Sequence, residues 1–366
     1  MQHSNLDYSL QLENKRKMLS KIVGFDEEKV KIFSDKEYYY RNRIDFLFTP
    51  KGLGMRKKGS AVKVVDVEKC AIASEEINFI LKELIDYFNN NDYYNLSSNK
   101  GTFKSVIVRS SRLGEKAVCF MLNDESVRLG EAIERIKQFA KKTSADKVIL
   151  ISGDRKESGK EWRENSEEVD DNNILVIKGT EFMREKLLGK DFSYPIFGFF
   201  QNNSFVAEKM QDYIRVLLKR YDTMEGKLLD LYAGVGTFGV INTDLFNSVF
   251  IVESFLAGVI EARKNVAENK IKNSSVYELD AKQLRKISLS GKLFVITDPP
   301  RSGMDIKVIQ QLQELKPEVI IYVSCNPEQL GKDIVKFKDY KIKSAALFDM
   351  FPQTIHSEAV VELVRN

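Results

Sequence analysis

Two rhythms of apolar residues divide the chain, with the change near residue 191. Ahead of that point helical and alternating segments mix. Residues 8–23 carry Leu10, Leu12, Met18, Leu19 and Ile22 among many lysines, which predicts an exposed amphipathic helix. Residues 38–68 alternate and turn at Gly52, Gly54 and Gly59, the pattern of short strands. Ser74 followed by Glu75 and Glu76 opens a helix expected to run to about Asn89. Strands near 103–109, 116–122, 147–152 and 173–178 and a helix near 129–142 complete an α+β region. Residues 154–171, with eight acidic side chains and Trp162, read as an exposed hairpin tip or loop. After a helix near 204–220, strands at 227–231, 248–252, 275–278, 293–297 and 319–324 alternate with helices, which predicts a parallel, doubly wound sheet. Segments 343–349 and 359–364 have no helix between them and are expected to pair as an antiparallel hairpin at one edge. The fold class is therefore α/β, Rossmann-like, with a C-terminal antiparallel hairpin. The expected domains are an N-terminal α+β region, 1–190, and a second domain, 191–366.

Bulk composition narrows this little. At 366 residues, 43% hydrophobic and 30% charged, the chain is ordinary for a soluble globular protein, and no apolar run approaches bilayer length. Cys70, Cys119 and Cys325 are too few and too scattered for a disulfide framework, and the N-terminus lacks a secretory pattern, so the cytoplasm is expected. The net charge of +4 is uninformative by itself. Its distribution is not: Arg41, Arg43, Lys51, Arg56, Lys57, Lys58, Lys63 and Lys69 interleave with Tyr38, Tyr39, Tyr40, Phe46 and Phe48. Cations contact phosphates and aromatics stack on unpaired bases. The same stretch is equally a solvated strand face over core aromatics.

Chemistry gathers at predicted strand ends. Gly234, Gly236 and Gly239 satisfy G-x-G-x-x-G after a strand, but glycine serves any close backbone approach to a ligand. Asp230 stands four residues before the first glycine, Glu253 could accept both ribose hydroxyls, and Asp280 lies within reach of an adenine amine. Acidic strand ends around one glycine loop favour S-adenosylmethionine, which is cationic and lacks phosphate, over a dinucleotide. Asp298 follows the fourth strand, where Pro299 and Pro300 stiffen the turn, and Cys325 follows the fifth. An open α/β sheet would present all five to one crevice.

At these residues the chain resembles the S-adenosylmethionine-dependent RNA uracil-5-methyltransferases. The resemblance is carried by Cys325 in Ser-Cys-Asn-Pro, Asp298 in Asp-Pro-Pro-Arg-Ser-Gly, His356-Ser357-Glu358 after Phe351-Pro352, and Phe200-Gln201-Asn202-Asn203. It covers about residues 8–362. It implies that Cys325 attacks C6 of uracil, that Glu358, in the loop between the last two strands, removes the C5 proton, and that His356 is positional. It assigns cofactor contacts to Gln201, Tyr232, Gly234, Gly236, Thr237, Glu253, Asp280 and Asp298. It also implies that structured RNA is the partner, tRNA (a T-loop uridine) ahead of 23S ribosomal RNA, met mainly by residues 36–180 of a monomer. Related enzymes often hold an iron–sulfur cluster by cysteines ahead of the segment matched here by residues 2–17 and a fourth matched by Cys70. With Cys70 alone, no cluster and no metal are expected. Competing readings are an NAD(P)-dependent oxidoreductase, resting on the glycines, and a non-catalytic RNA-binding protein with a vestigial pocket.

Overall fold

A computed structural model describes residues 5–57, 59–60, 63–95, 97–152 and 173–366. The acidic 154–171 segment with Trp162, and Lys58, lie outside the described residues. The chain runs through α1 (Tyr8–Val23), β1 (Lys31–Phe33), β2 (Arg43–Thr49), β3 (Gly52–Arg56), β4 (Val64–Asp66), α2 (Glu75–Tyr87), β5 (Phe103–Ser110), β6 (Lys116–Leu122) and α3 (Leu129–Lys142). Next come β7 (Lys147–Ser152), β8 (Ile174–Lys178), β9 (Phe182–Leu187), β10 (Lys190–Pro195) and α4 (Ser204–Leu218). The remainder is β11 (Lys227–Leu231), α5 (Thr237–Ile241), β12 (Ser248–Glu253), α6 (Leu256–Glu268), β13 (Ser274–Glu278), β14 (Leu293–Thr297), α7 (Ile306–Leu315), β15 (Val319–Ser324), α8 (Pro327–Ile334), β16 (Tyr340–Phe348) and β17 (Glu358–Arg365).

Two compact units result, and they do not follow a single cut at residue 190. One holds the chain through Glu37, Lys186–Ser193 and Asn203–Asn366; the other holds Tyr38–Glu185 and Tyr194–Asn202. The first residues join the C-terminal sheet for two physical reasons. Leu19 and Val23 of α1 bury their side chains in that sheet's apolar core, and β1 hydrogen-bonds alongside β16. The second unit is a seven-stranded sheet, β4-β3-β2-β5-β6-β7-β8, whose own core includes α2 and α3. In it Tyr40, Phe46 and Phe48 are buried, so they serve the core and are not available to stack on bases. Lys51, Arg56, Lys57, Lys63 and Lys69 remain exposed.

The first unit is built on an eight-stranded sheet in the order β1-β16-β17-β15-β14-β11-β12-β13. Strands β11 to β15 are all parallel, and the order runs outward from β11 in both directions. Such a reversal opens a crevice beyond the carboxyl ends of the central strands. β17 is antiparallel to both β15 and β16, as the hairpin expectation required. The hairpin is not at the edge, however, because β1 covers β16 and takes up its open hydrogen-bonding side. Helix α1 is also less exposed than its lysines imply. Its buried stripe is Gln11, Lys15, Leu19 and Val23, whereas Leu10 and Met18 face solvent.

One buried carboxylate organises the far side of the crevice. Asp333 of α8 is fully buried and accepts hydrogen bonds from Tyr322 Oη (2.8 Å), the Met304 N–H (2.9 Å), Gln329 Nε2 (3.1 Å) and Lys336 Nζ (2.9 Å). Four donors compensate its desolvation, and they tie together β15, α8 and the turn that follows β14. Gly303 makes the close approach possible: its φ is +80°, and a Cβ there would overlap the Asp333 carboxylate and come within 2.5 Å of Gln329 Cγ. Gly303→Ala is expected to lower stability by about 1–3 kcal/mol, read as a reduced midpoint in urea; an unchanged midpoint would show that the turn is not seated on Asp333.

Candidate active site

The crevice floor is the turn after β11. Leu231 is level with Thr297 of β14 and with Val252 of β12, which aligns Tyr232, Asp298 and Glu253 at one edge. Tyr232 (φ +59°), Gly234 (φ +54°) and Gly236 (φ +81°) all adopt left-handed backbone. For tyrosine that conformation is costly and is held only where surrounding structure dictates it. At Gly239 a Cβ would meet Ile251 Cγ1 at 2.6 Å, so α5 lies tight against β12. Beside Gly234 the same construction finds open space.

The acidic residues divide the work. Glu253 is a loop anchor: its Oε2 accepts the Gly234 N–H at 2.8 Å, and its Oε1 accepts those of Ser254 and Phe255 at 2.7 and 2.8 Å. A carboxylate has about four acceptor sites; these three N–H groups take three of them, and Ser254 Oγ makes a longer contact to Oε1 at 3.4 Å. Asp280 caps the short helical segment after β13, accepting from the Lys282 N–H (2.8 Å), and pairs with Lys282 Nζ (3.1 Å). Asp230 is not displayed in the crevice. It is fully buried beneath the turn, where Oδ2 accepts the Gly239 N–H at 2.7 Å and Oδ1 is left without a partner. Burial, with the nearby charges of Asp298 and Glu253, pushes its carboxyl up to about 8. The acidic groups that do stand at this edge, Glu253, Asp280 and Asp298, fit a cation-bearing nucleoside and disfavour pyrophosphate. Tyr232, Gly234, Gly236, Thr237, Glu253, Asp280 and Asp298 thus share one unit and one sheet edge; Gln201 belongs to the other unit.

Cys325 and Glu358 face each other. Ser324 of β15 is paired with Ala359 of β17, and in an antiparallel ladder the next position opposes Cys325 to Glu358. Glu358 is therefore the first residue of β17, in register with Phe348, and not part of the connecting loop. Ser324 Oγ accepts the Asn326 N–H (3.1 Å), and Asn326 caps α8 ahead of Pro327. Asn326 Nδ2 also donates to the Arg301 carbonyl at 2.9 Å, holding the turn beyond Asp298 against the cysteine.

Electrostatics couple these groups. Burial, then the charges of Glu358 and Asp298, push the Cys325 thiol up to about 12, while Arg301 pulls it down. Burial and Asp298 raise the Glu358 carboxyl well above its ordinary range, again opposed by Arg301. Arg301 is thus the counter-charge to both, a role that its place in Asp-Pro-Pro-Arg-Ser-Gly does not announce. Asp333 is equally unannounced, since an acid on an amphipathic helix is ordinarily solvated. His356 is exposed, while Ser357 is buried. Among the described residues, no group of three or more His, Cys, Asp or Glu side chains gathers as a metal site.

A sequence model of the tRNA (uracil-5-)-methyltransferase family matches residues 7–366. The tRNA (uracil(54)-C(5))-methyltransferase of Pyrococcus abyssi is 32% identical, over 100% of this chain and 82% of its own. That of Pyrococcus horikoshii is 31% identical, with the same coverage of 100% and 82%. An uncharacterized RNA methyltransferase of Caldanaerobacter subterraneus is 30% identical over 98% of this chain and 81% of its own. The crystal structure of the Pyrococcus abyssi enzyme in complex with S-adenosyl-L-homocysteine superimposes with a TM-score of 0.79 at 28% identity, covering 98% of this chain and 84% of that one. The chain belongs to the tRNA (uracil-5-)-methyltransferase family, and it is an S-adenosylmethionine-dependent methyltransferase rather than a dinucleotide oxidoreductase or a vestigial binding protein.

Proposed function

We propose that this enzyme converts a uridine of tRNA to 5-methyluridine, with Cys325 as nucleophile and Glu358 as the base. The observation that carries this is the placement of Cys325, one residue past the end of β15, beside Glu358, the first residue of the adjacent β17, at the sheet edge that also holds Asp298 and the glycine turn. The position that relatives carry in their names, uracil 54, supports a T-loop uridine. A target base inside a helix must be flipped out to reach such a crevice.

C5 of uracil is a poor nucleophile until C6 is attacked. Addition of the Cys325 sulfur to C6 breaks the C5–C6 double bond and makes C5 carbanion-like. Bound S-adenosylmethionine would supply the methyl group from its sulfonium sulfur, with the turn from Tyr232 to Thr237 and Glu253, Asp280 and Asp298 to hold it. The C5 proton then passes to Glu358; the C–H electrons restore the double bond as the C6–S bond breaks. A carboxyl whose pKa is raised by burial holds a proton more tightly than an ordinary glutamate, which suits it to take one from carbon. In the free site the thiol leans to its neutral form, so reactivity draws on a minor thiolate fraction. Arg301 and the amino end of α8 enlarge that fraction. The exposed cations Arg56, Lys57, Lys63 and Lys69 of the second unit supply phosphate contacts in this scheme.

Cys325→Ala should abolish 5-methyluridine formation on tRNA transcripts while S-adenosylmethionine binding persists. Glu358→Gln should trap a covalent tRNA–protein adduct whose base already carries the methyl group. Turnover by the alanine variant, or no adduct with the glutamine one, would remove the respective assignment, and methylation of 23S ribosomal RNA fragments alone would change the substrate.

The pH dependence follows from the raised thiol. With its pKa pushed up to about 12, alkylation of Cys325 followed by mass spectrometry should rise about tenfold per pH unit across the neutral and mildly alkaline range. Arg301→Met removes an opposing cation and should slow alkylation at every pH below the thiol's pKa, moving the curve to higher pH. A curve that levels off near pH 8 would contradict this electrostatic account.

Neutralising Arg56 and Lys57 together should weaken tRNA binding and reduce the dependence of log K on log salt by about one to two units. An unchanged slope would exclude that strand face from the RNA contact.

A further inference from the structure

The first half of the buried stripe of α1 is polar, whereas Leu19 and Val23 continue it as apolar core. Tyr8, Gln11 and Lys15 lie on one face and all reach into the connection between β16 and β17, residues 349–357. Tyr8 Oη donates to Asp349 Oδ2 at 2.8 Å, and Lys15 Nζ donates to Asp349 Oδ1 at 2.6 Å and to the Phe351 carbonyl at 3.4 Å. Gln11 and Gln353 exchange two hydrogen bonds: Gln11 Nε2 to Gln353 Oε1 (3.1 Å), and the Gln353 N–H to Gln11 Oε1 (3.2 Å). Gln353 is buried and held at φ +67°, a conformation that a non-glycine residue keeps only when surrounding contacts impose it.

Stability alone does not account for this choice. Lys15 and Asp349 are both buried, and a buried ion pair is commonly no more stabilising than apolar residues of the same volume. What such a pair adds is direction, since hydrogen bonds fix distance and angle where apolar contact tolerates sliding. The segment so fixed is closed at its base by the pairing of Phe348 with Glu358. Glu358, which closes it, carries the carboxylate whose charge acts on Cys325.

We propose that α1 is a positioning element of the reaction: through Tyr8, Gln11 and Lys15 it sets the course of residues 349–357, and so the place of the Glu358 carboxylate over the C5 proton. This rests on Glu358 being the base. Its consequence is specific to one step. Loosening the clamp should leave addition to C6 and methyl transfer in place and slow the proton removal that breaks the C6–S bond. Enzyme should then accumulate as the methylated adduct.

The test is tRNA methylation by the full chain carrying Tyr8→Phe or Gln11→Leu, with adduct measured on denaturing gels and its base analysed for the methyl group. Glu358→Gln is the reference for a blocked base. Leu312→Ala, a core substitution on α7, supplies a comparable loss of thermal midpoint without touching the clamp. The expected result is a several-fold larger trapped fraction for both clamp variants, with kcat reduced by up to about a hundredfold, KM for tRNA falling with it so that kcat/KM changes little, and no trapping by Leu312→Ala. If the clamp variants show no trapping while Glu358→Gln does, and their activity follows only their folded fraction, α1 is structural and the proposal fails. If Glu358→Gln itself traps nothing, the base assignment falls and carries the proposal with it.

Discussion

The reversal of a single strand governs this active site. Parallel strands can bring only their carboxyl ends to the crevice, and β11, β12, β13, β14 and β15 do so with Tyr232, Glu253, Asp280, Asp298 and Cys325 at or just past those ends. β17 runs the other way between β15 and β16, so its first residue, Glu358, arrives at the same edge. The proposed nucleophile and base, acting on one ring, need adjacent anchors with a fixed separation. Neighbouring antiparallel strands provide that more rigidly than a loop would. The connection leading into β17 must then be guided with comparable care, which is where α1 and the buried Asp349 enter the scheme.

Burial sets the chemical character of the groups so placed. Asp230, Cys325 and Glu358 all have their charged forms disfavoured by desolvation and by neighbouring carboxylates. Arg301 is the cation that opposes the effect on Cys325 and Glu358, and it is held by the same turn that Asp333 and Asn326 secure. A site short of cations and rich in acceptors favours a positively charged cofactor over a phosphorylated one. The same excess keeps the thiol quiet until substrate arrives, which limits adventitious alkylation of an otherwise reactive cysteine.

The fold was legible where periodicity and punctuation agree. The five parallel strands, the glycine turn and the Asn-Pro stop after Cys325 lie where the pattern of apolar residues and breakers puts them. Errors arose where long-range pairing overrides local pattern. Three residues of β1 close the sheet edge from far away in sequence, and no local signal distinguishes so short a strand. Phe46 and Phe48 alternate with charged residues as well in a core-facing strand as in a base-stacking surface, and only the packing of α2 decides between them.

Buried polar residues mark the deeper limit. Lys15 and Gln11 are polar positions of an amphipathic helix and Asp333 is an acid on α8, and hydropathy treats every lysine, glutamine and aspartate alike, buried or solvated. Their burial becomes intelligible only through partners more than three hundred residues away for Lys15 and Gln11, or across a turn for Asp333. The cost of desolvating such groups is large enough that they persist only with their partners in place. Each one therefore records a geometric demand of the site: Asp333 fixes the turn that carries Arg301, and the α1 stripe fixes the approach to Glu358. In both cases the demand falls on a connection rather than on a strand, since the sheet already holds the strands and leaves its loops to be held by something else.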